Sequence, residues 1–303
     1  MPIPPDEFQA LVNQSVIFTV AAMAAVAVAM WRGCFATGVL AGAPFNRPML
    51  WLPDIAIAYL LLQLSMAAVA FFVLIGVDQD AEPIPYAKGI LIAQFLGYLS
   101  PMAYLLWRIA LPRFNDAAET ALPLTTRLGR FGLGAFTFSH LKSASTGLLL
   151  ALPAVMAASS LAIFVRVLLG YAPPESGHQL LALLTKTDQT ELMLALLFGS
   201  AVIVAPIGEE IIYRGVIQTA LARVMGKHMR PAVLLISSTL FALVHLGSVP
   251  MEMLPALFVL GFILGWLYET TGSLWPGILL HALFNAINIA LAAVEVLYQT
   301  PPS

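Results

Sequence analysis

The sequence predicts an all-α fold, a polytopic membrane helical bundle of about eight transmembrane helices. Three observations carry that prediction. The 303-residue chain is 60% hydrophobic and only 10% charged, against about 25% charged for a soluble domain. Its mean hydropathy is +0.90. The apolar residues gather into runs near the ~20 residues that a bilayer span needs, and the few charges collect between the runs.

Taken in order, the first run is Val16 to Met30, or begins slightly before it, and ends at Trp31 and Arg32. The N-terminus carries Asp6 and Glu7 without Lys or Arg, so this run is expected to be a retained helix and not a cleaved signal. The second covers Ile55 to Val77 and the third Gly89 to Leu111, with Pro101 inside it. A basic stretch follows, and its Arg127 to Lys142 portion is expected to form an interfacial helix. The fourth span is Thr146 to Leu169, and a short segment, Gln179 to Thr187, follows a Pro/Gly/Glu loop. The fifth starts near Leu192, the sixth covers Ala232 to Leu246, the seventh Leu254 to Tyr268 and the eighth Leu274 to Leu297. Residues 1–190 thus read as an N-terminal membrane region of about four helices, and 191–300 as the helices that carry chemistry, together one membrane-embedded bundle. Basic loops alternate with acidic ones, which by the positive-inside rule puts both termini outside and the basic loops in the cytoplasm. The single cysteine, Cys34, excludes an internal disulfide and a cysteine-rich metal site. No nucleic-acid partner is expected.

Within the fifth run lies Gly208-Glu209-Glu210-Ile211-Ile212-Tyr213-Arg214-Gly215. A charge at the bilayer centre costs from about 2.5 to more than 10 kcal/mol, so each charge here needs a partner or a task. On a helix Glu210 and Arg214 stand four apart and can pair. Glu209 is turned about 100° away and is left over. The cluster belongs in mid-span if the fifth helix continues to about Val224, which makes that helix unusually long. Downstream, His245 follows Phe241 in the sixth span, and His281 and Asn285 share one face of the eighth. Taken singly, an intramembrane histidine or asparagine is ordinary interhelical glue. Their collection in the C-terminal third points to a reaction centre.

Those groups suit hydrolysis. A carboxylate kept from bulk water can act as general base, an imidazole can share its water, and a second imidazole with an amide N–H can stabilise an oxyanion. Two histidines and a glutamate can equally hold a divalent metal, and the spacing leaves both open. No His-Glu-x-x-His pattern occurs, Ser200 lacks a nucleophile-elbow context, and paired aspartates within spans are missing.

Glu209-Glu210-x-x-x-Arg214, Phe241-x-x-x-His245 and His281-x-x-x-Asn285, in that order on successive apolar helices, resemble the CPBP family of intramembrane proteases. This is the type II CAAX prenyl endopeptidase and abortive-infection family. The resemblance covers roughly Leu192 to Leu291. It implies an eight-helix bundle and peptide-bond hydrolysis, with Glu209 as general base and His245 as its partner on the water. It further implies His281 and Asn285 at the oxyanion, with Glu210 and Arg214 supporting them. Family members are described both as metalloproteases and as metal-independent glutamate proteases. The expectation here is that no cofactor is required; zinc, held by Glu209, His245 and His281, is the alternative. The expected partners are the lipid bilayer and a peptide or protein substrate, hydrophobic or CAAX-like, and the expected location is a bacterial cytoplasmic (inner) membrane. Two other functions fit the same residues: a non-catalytic scaffold or immunity protein of this fold, and a proton-coupled transporter.

Overall fold

The structure, a computed structural model, describes residues 4–34, 52–78, 82–110, 122–172, 190–246 and 248–299. Its helices are α1 (Pro5–Trp31), α2 (Leu52–Leu74), α3 (Pro83–Ala110), α4 (Leu124–Phe131), α5 (Phe138–Leu168), α6 (residues 190–225), α7 (Arg230–Leu243), α8 (Leu254–Thr271) and α9 (Trp275–Gln299). No strand occurs among the described residues. Six segments are long and apolar enough to cross a membrane: Asp6–Trp31, Ala56–Leu74, Ile84–Ala110, Phe138–Leu168, Ala195–Met225 and Met251–Thr271. Arg230–Leu243 and Trp275–Leu291 are shorter apolar helices. All eight predicted runs are therefore helical, six of them at spanning length.

Two expectations are corrected. The Arg127–Lys142 stretch is not one helix. α4 ends at Gly132, whose φ of 102° is a left-handed cap that glycine adopts without a Cβ penalty. The helix of the fourth span then starts at Phe138, eight residues before Thr146, behind a Thr137 capping box closed by His140. The predicted Gln179–Thr187 segment lies outside the described residues.

The chain separates into two compact units. The first, Met1–Phe45, Phe136–Glu175 and Leu221–Leu280, holds α1, α5, α7, α8 and the beginning of α9. α1 meets α5 through the Phe8 and Phe164 rings, 6.0 Å apart, and through Ser15, whose hydroxyl donates to the Ser160 carbonyl. α5 lies so close to α8 at Gly147 that a Cβ there would stand 2.8 Å from Leu267 Cδ1. α7 and α8 are joined by the buried pair Arg230–Glu269, Nη1 to Oε2 2.8 Å.

The second unit, Asn46–Ala135, Ser176–Ala220 and His281–Ser303, holds α2, α3, α4, most of α6 and the rest of α9. α2 and α3 share an Oγ–Oγ hydrogen bond of 2.8 Å between Ser65 and Ser100. At their ends Asp54 accepts from Tyr104 Oη and Arg108 Nε, both at 2.8 Å. α4 places the fully buried Phe131 ring over Gly215 of α6, where a Cβ would come within 2.5 Å of the ring.

Candidate active site

α6 carries the site, and its backbone is not uniform. Two π-helical stretches, Gly199–Val204 and Ile211–Gln218, flank one α-helical stretch, Ala205–Glu210. π segments inside helices are rare and frequent at functional sites. The helix runs on to Met225, so Glu209 and Glu210 are in mid-helix, as the unusually long fifth span requires.

The local reason for the first π stretch can be followed bond by bond. Ala205 N–H donates to Ser200 O, five residues back. The next bond in that register would run from residue 206 to Ala201 O, but residue 206 is proline and has no N–H. Asn285 Nδ2 of α9 donates to Ala201 O instead, at 2.8 Å. In the second stretch the Arg214 carbonyl accepts from Thr219 Oγ1 at 3.1 Å. Side chains thus satisfy backbone carbonyls that would be costly to bury unpaired.

The charges are arranged on this frame. Arg214 Nη1 lies 3.1 Å from Glu210 Oε1, both side chains 1% exposed, which is the predicted i,i+4 pair. His281 Nδ1 stands 3.3 Å from the same Glu210 oxygen. A carboxylate oxygen only accepts, so Nδ1 carries the proton. His281 Nε2 faces the other carboxylate, 3.9 Å from Glu209 Oε2. Glu209 Oε1 accepts from Tyr98 Oη of α3 at 3.1 Å. Glu209 Oε2 is buried without a hydrogen-bond partner among the described residues. The spare carboxylate expected from the sequence is therefore tied at one oxygen and open at the other.

Of the six predicted site residues, the second unit brings together Glu209, Glu210, Arg214 and His281, and holds Asn285 on the same α6 helix through Ala201. His245 belongs to the first unit. It sits in the turn just after α7 and not within it. Its Nδ1 lies 2.8 Å from Phe241 O, a carbonyl that can only accept, so in the neutral ring Nε2 keeps its lone pair. Tyr98 was not legible as a site residue, because nothing in its own neighbourhood distinguishes it from other tyrosines in spans. Among the described residues no group of three or more His, Cys, Asp or Glu could hold a metal ion. The zinc alternative draws on Glu209 and His281 of the second unit and His245 of the first, and no step is derived through a metal.

Residues 191–287 match the family model described as "Type II CAAX prenyl endopeptidase Rce1-like". This stretch is Rce1-like. It contains all six predicted residues and agrees with the CPBP resemblance. No curated protein and no solved structure matches the chain. The apolar helices and the Rce1-like segment together indicate an integral membrane protein with similarity to a membrane protease family, for which a bilayer and a peptide substrate are the corresponding partners.

Proposed function

We propose that the chain is an intramembrane endopeptidase that hydrolyses a peptide bond of a membrane-associated or hydrophobic substrate, with CAAX-like C-termini the first sequences to try, in a bacterial cytoplasmic membrane. The observation that carries the reading is the open, buried Oε2 of Glu209 facing His281 Nε2 across 3.9 Å. That separation is too long for a direct hydrogen bond and suits a water between the two groups. It also leaves a point about 3 Å from each, where a reacting atom can sit.

In this mechanism Glu209 takes a proton from the water as the water oxygen attacks the scissile carbonyl. It returns that proton to the amide nitrogen when the tetrahedral intermediate collapses and the C–N bond breaks, leaving a carboxylic acid and an amine. His281, with Nδ1–H directed to Glu210 and a proton on Nε2, donates to the oxyanion. Glu210 and Arg214 hold that ring. Asn285 spends one amide hydrogen on Ala201 O, and its second is the one assigned to the oxyanion. His245 enters on its sequence motif and on a tautomer that leaves Nε2 able to take a proton. The reaction needs no metal in this reading.

The test is cleavage of fluorogenic hydrophobic and CAAX-like peptides by the purified protein in lipid nanodiscs. The expected result is turnover that survives exhaustive chelation and is lost in Glu209→Gln. Chelation that stops turnover, restored by zinc, would replace the metal-independent mechanism. Equal turnover by Glu209→Gln would favour the scaffold reading and remove the general base.

A further inference from the structure

The Rce1-like match starts at residue 191, and residues 1–190 contain none of its site residues. Yet the side chain that grips Glu209 comes from α3. Tyr98 Oη donates to Glu209 Oε1 at 3.1 Å across 111 residues of sequence. It is a neutral donor on one oxygen of a carboxylate whose other oxygen is buried and open. Fixing Oε1 removes the freedom of the carboxylate to rotate about its terminal torsion, which is otherwise broad. The open Oε2 is then held toward His281 Nε2.

The approach of α3 is built for this contact. Gly199 and Gly208 of α6 meet α3 at Phe95, Tyr98 and Met102, residues spaced along one α3 face. A Cβ at Gly208 would stand 3.3 Å from Tyr98 Cδ1 and 3.6 Å from Met102 Cγ. A Cβ at Gly199 would stand 3.0 Å from Phe95 Cε2. Two positions without side chains therefore let the tyrosine ring lie against the helix one residue before the glutamate it holds. A buried tyrosine hydroxyl needs a polar partner, and in an apolar span few exist. We infer that Tyr98 is a positioning residue of the reaction, supplied by the N-terminal region, which fixes the rotamer of Glu209 so that Oε2 is presented to the water. This rests on the proposed function in assigning Glu209 as the base.

Tyr98→Phe removes the hydroxyl and keeps the ring. In nanodiscs kcat is expected to fall by about 10- to 100-fold, the scale of a slightly misplaced reacting group, while KM stays as in the wild type and the thermal unfolding midpoint drops slightly because Glu209 Oε1 loses its donor. Replacing Tyr98 by 3-fluorotyrosine, a stronger donor, is expected to restore kcat to at least the wild-type value, a response that a purely space-filling ring would not give. A second measurement does not need turnover. In carbon-13 glutamate-labelled protein, the carboxylate stretch identified as that of Glu209 by its loss in Glu209→Gln is expected to shift in Tyr98→Phe. An unshifted band overturns the assignment, as does an unchanged kcat in Tyr98→Phe when Glu209→Gln is inactive. Failure of the wild type to cleave any peptide overturns the proposed function, and the infrared band then still decides the Tyr98–Glu209 bond.

Discussion

Arg230 in the first unit and Arg214 in the second are both buried guanidiniums beside a glutamate, yet they differ in the charge around them. At Arg230 one cation meets one carboxylate, Glu269, at 2.8 Å. At Arg214 the paired Glu210 is shared with His281, and a second carboxylate, Glu209, lies on the far side of the same imidazole. The first arrangement ties the beginning of α7 to the end of α8 and needs no further explanation. The second sets two carboxylates around one imidazole, with Arg214 paired to one of them, in helices that are otherwise apolar. Burying a second ionisable carboxylate there is costly, and Glu209, open at Oε2, is better explained by a reaction than by packing.

The largest expected effect separates the two regions directly. Glu209→Gln should lower kcat/KM by at least about 10³-fold, toward the upper part of the range for lost acid–base catalysis, with a thermal midpoint equal to or above the wild type. Glu269→Gln should do the reverse. It removes the carboxylate that stands 2.8 Å from the buried Arg230 guanidinium, at a cost of about 3–5 kcal/mol, while the molecules that fold keep their turnover number. Measuring both variants for midpoint and for kcat per folded molecule checks the contrast. Loss of turnover in folded Glu269→Gln would end it.

The next effect concerns whole pairs. Replacing Arg230 and Glu269 together with Met and Leu should be neutral or stabilising, as buried pairs often tolerate apolar replacement, and activity should persist. Replacing Arg214 and Glu210 in the same way should also spare stability relative to either single change. Activity should nevertheless drop, because His281 loses the carboxylate that orients its Nδ1. Unfolding midpoints beside peptide turnover for the two double variants would show whether the second pair has a role beyond packing.

How much of this was readable in the chain follows from the range of each interaction. The eight helices were legible because apolar runs of span length are a local property, and the Glu210–Arg214 pair because it is one helical turn. The start of α1 at Pro5 and of α5 at Phe138 was missed, since polar residues such as Asn13 and Gln14 or Ser139 and Lys142 fit a helix end as well as a loop. The π stretches left no mark on hydropathy, because α and π turns differ in which carbonyl accepts and not in which side chains are apolar. Pro206 was the one local sign. The Tyr98–Glu209 and His281–Glu210 contacts join residues 111 and 71 positions apart, and only packing brings them together.

The smallest predicted effect tests that backbone account. If Asn285 is held at Ala201 O because Pro206 cannot donate there, then Asn285→Ala leaves a buried carbonyl unsatisfied. The expected cost is about 1–3 kcal/mol, read as a lower unfolding midpoint. Pro206→Ala returns an N–H to the position five residues after Ala201, the register already used by Ala205 and Ser200. The double variant Asn285→Ala/Pro206→Ala should therefore recover most of the lost stability, giving a coupling between two residues 79 positions apart that simple additivity would not produce. Its turnover separates the two tasks given to Asn285. Recovered stability with recovered turnover would mean that the asparagine acts only by holding the π stretch beneath Glu209, as the Tyr98 bond holds the carboxylate itself. Recovered stability with turnover still low would leave the second amide hydrogen at the oxyanion.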